Sequence, residues 1–182
     1  FLFAVDASGS MGARERMRAV KGAIFYMLQE AYQKRDRVGM IAFRRQQAEV
    51  LLPITRSVDL AQKCLAELPT GGKTPLADGL AVALQTLSML NKHDSELEPI
   101  LVLVTDGRAN ATEAYGGDPV ASALKMAERV GKAKITSVVI DTESDFIKLG
   151  LAKRIAAAMG ANYYTLQRLS KDSIIRIVRN LD

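Results

Sequence analysis

Residues 99–105 read Pro-Ile-Leu-Val-Leu-Val-Thr, a strand-length run with no polar side chain before its last position. A strand with one wet face alternates apolar and polar residues, whereas a run that is apolar throughout has both faces covered. Such a strand belongs at the centre of a sheet that carries helices on both sides. The rest of the chain can supply that setting. Residues 1–6 form a second short apolar run. Met17, Val20, Ile24, Met27, Leu28 and Ala31 then recur at helical spacing and predict an amphipathic helix over residues 14–34. Strands are expected at 37–43 and 48–54, joined by the hairpin-length link Arg44-Arg45-Gln46-Gln47. Helices are expected at 58–68, capped by Ser57, and at 76–90. After the central strand come a helix at 119–131, a strand at 134–140 and a helix at 147–159 ended by Gly160. A short strand at 162–166 and a helix from 170 to about 179 close the chain. No internal repeat or low-complexity linker interrupts the alternation. The expectation is one α/β domain over residues 1–182, with a doubly wound, mostly parallel six-stranded sheet, one antiparallel edge strand and helices on both faces. Ligands of such sheets bind beyond the carboxyl ends of the strands, where the winding reverses.

The 182 residues suffice for one sizeable core, and 48% hydrophobic with 25% charged residues is the composition of a soluble globular protein. No apolar stretch reaches the roughly 18 residues that span a bilayer, so no membrane span is expected. The apolar start has no basic segment before it and does not read as a signal peptide. A chain that opens directly in a core strand is expected to be a domain cut from a longer, cytoplasmic protein. The single cysteine, Cys64, leaves no intrachain disulfide and no cysteine-based zinc site, and its helical pattern makes it a small core residue. A net charge of +5 would suit an acidic partner or nucleic acid. The basic residues are scattered, however, and only 5% of the chain is aromatic, so the stacking platform of a single-strand binder is missing. No nucleic-acid partner is expected.

The chemistry sits at strand ends. Asp6-Ala7-Ser8-Gly9-Ser10 follows the first apolar run. It places a carboxylate and two hydroxyls at i, i+2 and i+4, which in an extended segment point the same way. Hard divalent cations such as Mg2+ take oxygen ligands in near-octahedral array, so this segment can be one wall of a cation site. Taken alone it serves equally well as a turn and helix cap. Asp106, in Val104-Thr105-Asp106-Gly107-Arg108, ends the central strand, and the loop after it weakens the capping account. The third segment is Gly71-Gly72-Lys73-Thr74-Pro75-Leu76. Its glycines allow close backbone approach, and Pro75 is placed to begin the next helix. Thr74 is then either that helix's cap or a ligand presented on the loop. Asp-x-Ser-x-Ser, Gly-Gly-x-Thr-Pro and Thr-Asp-Gly in one chain are far more specific than any of them alone.

This combination resembles the von Willebrand factor type A domain with its metal-ion-dependent adhesion site, as in integrin I domains, over essentially the entire chain. Position by position, Asp6, Ser8 and Ser10 match the first motif, Thr74 the second and Asp106 the third. The resemblance implies a Rossmann-like fold and a bound Mg2+, with Mn2+ as a substitute. The hydroxyls would touch the ion directly and the aspartates directly or through water. It also implies a sixth position filled by a partner protein's carboxylate. Neutral hydroxyl ligands leave a cation electrophilic, so an outside anion can complete its shell. A narrower likeness lies in Lys21-Gly22-Ala23, in residues 32–39, 52–58 and 68–72, in Thr105-Asp106-Gly107-Arg108-Ala109-Asn110 and in Val139-Ile140-Asp141-Thr142-Glu143. These look like the C-terminal domain of the D-type subunit of magnesium chelatase, and cobalt chelatase subunits share much of the pattern. Lys73 departs from it, standing where Gly is often expected. The likeness implies a non-catalytic module of an AAA+ complex that inserts a metal into a tetrapyrrole. Its implied partners, engaged through an acidic residue, are an AAA+ ATPase subunit and a tetrapyrrole-binding subunit.

Other chemistries fit less well. A phosphate-binding loop ending at Gly72-Lys73-Thr74 needs a Gly five residues before Gly72, where Glu67 stands. Ser8-Gly9-Ser10-Met11-Gly12 is one residue short of Gly-x-Ser-x-Gly, and the only histidine, His93, lies at a polar helix end rather than late in the chain. A metal-dependent phosphohydrolase with Asp6 as nucleophile would want a second Asp where Ser8 stands. An adhesion or scaffold module of another system is the competing role within the binding class. Asp141 reads either as a further anion beside the site or as a turn residue. Arg14, Arg16, Arg18 and Lys21 on the first helix, and Arg44 and Arg45 in the hairpin, read as solvated faces or as docking sites for an acidic segment.

Overall fold

The computed structural model describes residues 1–9, 13–94, 96–111, 117–143 and 150–168. Ser10, residues 147–149 and the helix expected from residue 170 lie outside these, as do the side chains of Arg14, Arg16 and His93. The described elements alternate as the apolar pattern requires. They are β1 (Leu2–Asp6), α1 (Ala13–Gln33), β2 (Val38–Arg44), β3 (Gln47–Thr55), α2 (Val58–Ala66), α3 (Leu76–His93), β4 (Ile100–Thr105), α4 (Pro119–Lys132), β5 (Thr136–Asp141), α5 (Leu151–Met159) and β6 (Asn162–Thr165), followed by a 3-10 turn at Leu166–Arg168. The six strands form one sheet in the order β3-β2-β1-β4-β5-β6. β1 pairs parallel with β2 and with β4, β4 with β5 and β5 with β6, while the β2–β3 hairpin supplies the antiparallel edge. This is the doubly wound, mixed α/β sheet that the sequence pattern anticipates.

Every residue of β4 is buried, and its side chains divide between two cores because successive residues of a strand face opposite ways. Val102 and Val104 join Phe3, Val5, Met40 and Ile140 in a layer completed by Ile24 and Leu28 of α1 and Leu65 of α2. Cys64 packs half-buried against this layer. Leu101 and Leu103 join Leu2, Phe43 and Val139 in the other layer, closed by Leu80 of α3, Val130 of α4 and Ile155 of α5. Ser57 caps α2 as expected, its Oγ accepting the Leu60 N–H at 3.3 Å. One boundary moves for a local reason: Lys134, expected in a strand, has φ 54° in the turn that leaves α4, so β5 begins at Thr136. Among the described residues no helix is long and apolar enough to cross a membrane.

The strand order places the reversal of winding between β1 and β4, since the chain proceeds from β1 to β2 on one side and enters β4 on the other. Asp6 is the last residue of β1 and Asp106 directly follows β4. The helix that covers this region comes unusually close to the sheet. A Cβ on Gly79, in the first turn of α3, would lie 2.5 Å from Cδ1 of the buried Phe43. In an exposed helix Gly79→Ala would stabilise by about 1 kcal/mol. Here the overlap with the Phe43 ring reverses the sign, and urea unfolding should show a loss of about 1–3 kcal/mol, relieved when Phe43→Leu makes room.

Candidate metal centre

Asp6 ends a strand with no exposed face, so its carboxylate cannot turn away to bulk water; the residue is only 9% exposed. Its oxygens are met by local and distant donors. Oδ1 accepts from the Ser8 N–H at 3.0 Å and from the Ser8 hydroxyl at 2.6 Å. Oδ2 accepts from the hydroxyl of buried Thr105 at 3.1 Å, the last residue of β4. The Ser8 and Thr74 hydroxyls lie 2.5 Å apart although 66 residues separate them in sequence. Ser8 has one proton, and it points to Asp6, so Thr74 is the donor of this pair. Each hydroxyl oxygen therefore keeps a lone pair for a further partner.

The loop that carries Thr74 is fixed from both sides. Gly71 N–H donates to Ala7 O at 2.8 Å, which ties it to the segment after β1. Thr74 N–H donates to Asn110 Oδ1 at 2.7 Å and Thr74 O accepts from Asn110 N–H at 3.2 Å, which ties it to the segment after β4. Of the two roles open to Thr74, capping is not the one it takes. Pro75 is the N-cap of α3, with Leu76 the first helical residue, and no side chain caps that end. Asn110 is a positioning residue that pattern reading passes over, because an Asn in a polar loop carries no signal of its distant bond. Gly107 lets the loop turn directly after Asp106. It has φ 72°, and a Cβ there would lie 2.7 Å from the Ala152 backbone nitrogen in α5.

Asp106 itself accepts from the Arg108 N–H at 3.0 Å, and its other oxygen lies 3.6 Å from Arg108 Nε. Asp6, Ser8 and Asp106 line one cavity of about 20 Å3, walled by Met17 and Val20 of α1 with Val104 and Thr142. That is room for one water molecule or one ion. The fifth sequence candidate, Ser10, lies outside the described residues. Asp141, at the end of β5, is otherwise occupied: the Tyr163 hydroxyl donates to one of its oxygens at 2.5 Å and the Glu143 N–H to the other at 2.8 Å.

The electrostatics of this arrangement are out of balance. Burial, with the neighbouring Asp106 charge adding to it, pushes the Asp6 carboxyl up to about 7, even though the Ser8 and Thr105 bonds pull the other way. Three hydrogen bonds do not replace the solvation the carboxylate has lost. Among the described residues no group of three His, Cys, Asp or Glu side chains forms. The described donors are two carboxylates and two hydroxyls, all hard oxygens. They suit Mg2+ rather than zinc, whose sites draw on cysteine and histidine.

The geometry can be set beside known proteins. A family model of the von Willebrand factor type A domain matches residues 1–109. An uncharacterized protein of Methanocaldococcus jannaschii is 42% identical over 173 residues, covering 94% of this chain and 98% of that protein. The Magnesium-chelatase 67 kDa subunit of Heliobacterium mobile is 40% identical over 186 residues, covering 98% of this chain and 28% of the subunit. The chain thus spans under a third of the chelatase subunits it resembles and nearly all of the Methanocaldococcus relative. Among solved structures, the vWF domain of the type V pili tip protein Mfa5 from Porphyromonas gingivalis has a TM-score of 0.78 at 11% identity, covering 99% of this chain and 93% of that one. That likeness is one of fold.

The raised Asp6 pKa makes the stability of the metal-free protein depend on pH with a definite sign. The carboxyl titrates near 3.8 in an unfolded chain and at about 7 in the fold. The native state therefore holds the proton more tightly, and this contribution to stability is lost as pH rises from about 4 through 7. In EDTA, Asp6→Asn should be more stable than the parent at pH 8, by on the order of a few kcal/mol, with the gap closing near pH 4. Urea unfolding at the two pH values measures both.

Proposed function

The chain belongs to the von Willebrand factor type A domain family, and from that premise we propose that it is a metal-ion-dependent protein-interaction module of a magnesium-chelatase-type assembly. The observation that carries this reading is the meeting of Asp6, Ser8 and Thr74, from separate segments, beside Asp106 at the reversal of the sheet. Ser8, Ser10 and Thr74 would hold Mg2+ through hydroxyl oxygens, and Asp6 and Asp106 through carboxylates. The ion would supply an electrophilic centre with a position left for a partner's carboxylate. Around it this chain's own residues do definite work. Thr105 orients Asp6, Asn110 fixes Thr74, and Met17 and Val20 exclude water from one side. The domain by itself would bind rather than catalyse.

The likeness to magnesium-chelatase subunits along nearly the whole chain supports the assembly. In it the partners would be an AAA+ ATPase subunit and a tetrapyrrole-binding subunit, and the module's task would be to hold them in a metal-dependent complex. Residues 1–182 would form one self-contained domain there. A relative of nearly equal length beside a subunit more than three times as long is what a portable module produces.

Asp106→Ala and Asp6→Ala should each weaken Mg2+-dependent association with the chelatase ATPase subunit more than tenfold, while circular dichroism shows the fold retained. Titration of purified proteins in Mg2+ and in EDTA measures this. Association that is unchanged in EDTA would overturn the reading.

A further inference from the structure

The end of β5 reaches the candidate metal centre through Thr142, a residue outside the set of five oxygen ligands. Thr105 and Asp141 are the last paired residues of β4 and β5, which puts Asp106 and Thr142 side by side just past the two strands. The Thr142 N–H donates to Thr105 O at 2.9 Å. Asp141 fixes the turn beyond, accepting from the Glu143 N–H at 2.8 Å and from the Tyr163 hydroxyl at 2.5 Å. Two residues back, Ile140 lies in the layer under α1, and alternation along the strand carries Thr142 to the same side. There it lines the cavity of about 20 Å3 together with Asp6, Ser8, Asp106, Met17, Val20 and Val104.

Thr142 is 9% exposed, and no described residue forms a hydrogen bond with its hydroxyl. A buried hydroxyl without a partner costs stability, and a valine would fill the same shape without that cost. The polar side chains that share its cavity are Asp6, Ser8 and Asp106. Thr74 does not line the cavity, so this space adjoins the meeting point of the Ser8 and Thr74 hydroxyls and does not coincide with it. It has the size of one water molecule, and the four polar side chains that border it are enough for the bonds a buried water makes. Resting on the reading of the centre as a Mg2+ site, we propose that Thr142 is a positioning residue for that ion, acting through a water in this cavity. Mg2+ dehydrates reluctantly and keeps waters when protein binds it. Such a water turns a lone pair to the ion and has both protons to donate. A carboxylate of Asp6 or Asp106 accepts one, and the Thr142 oxygen accepts the other. The apolar wall of Met17, Val20 and Val104 offers that second proton nothing. Groups that orient a metal's surroundings in this way are worth about ten- to a hundredfold in metal affinity.

Calorimetric titration of the whole chain with Mg2+, beside its melting temperature in EDTA, tests this. Thr142→Val should bind Mg2+ about tenfold more weakly than the parent. In EDTA the same variant should melt at the parent's temperature or higher, because the metal-free protein loses no hydrogen bond. Thr142→Ser keeps the oxygen and should restore most of the affinity. Equal Mg2+ affinity of the parent and Thr142→Val, or a Thr142→Ser protein as weak as Thr142→Val, overturns the role of Thr142 and leaves the metal reading standing. A Thr142→Val protein that melts below the parent in EDTA makes Thr142 a structural residue and overturns the proposal as well. A parent chain that binds no Mg2+, or whose binding is unchanged in Asp106→Ala, overturns the metal reading and this inference with it.

Discussion

Asp6 and Asp106 end two neighbouring parallel strands, and holding both charges beside one small cavity sets what the residues around them must do. Neither can retreat, because β1 and β4 are central and the layers above and below them are apolar. Hydrogen bonding is the first remedy available to a folded chain, and Asp6 receives three such bonds. Burial and the neighbouring charge outweigh them, and its carboxyl still stands at about 7. Among the described residues no cation is paired with Asp6, whereas Arg108 lies 3.6 Å from Asp106, from a partly exposed position.

Three successive strand ends show how general the local device is and how specific its outcome. Asp6, Asp106 and Asp141 each accept the N–H two residues on, from Ser8, Arg108 and Glu143 respectively. This turn chemistry comes from short-range sequence alone. What separates the three is the partner brought from elsewhere. Tyr163 donates to Asp141 from β6 and makes it part of the framework, and its own phenol is held well above the ordinary range by burial and by that bond. Asp6 is joined instead to a hydroxyl pair whose oxygens retain free lone pairs. The first arrangement is closed and the second is open.

That contrast explains what pattern reading could reach. The apolar run of β4, the helical spacing in α1 and the hairpin link are local signals, and the strand order with its antiparallel edge follows from them almost directly. Asp6, Ser8, Thr74 and Asp106 were legible because three motifs recur together and sheets of this kind present their strand ends to ligands. The remainder depends on tertiary contacts with no periodicity. Asn110 reaches Thr74 across 36 residues and Tyr163 reaches Asp141 across 22. Pro75 could be placed near the start of α3 from its fixed φ, yet whether it is the cap or the first helical residue turned on where Thr74 points. Lys134 left its strand because a turn had to fit between α4 and β5.

The ratio of charges in the proposed centre sets what an ion held there would attract. Two carboxylates balance a dication, and hydroxyl ligands add contacts without adding charge. A third carboxylate from this chain would close the shell and leave an ion with little attraction for an outside anion. With hydroxyls in that place the ion would still draw a carboxylate from outside.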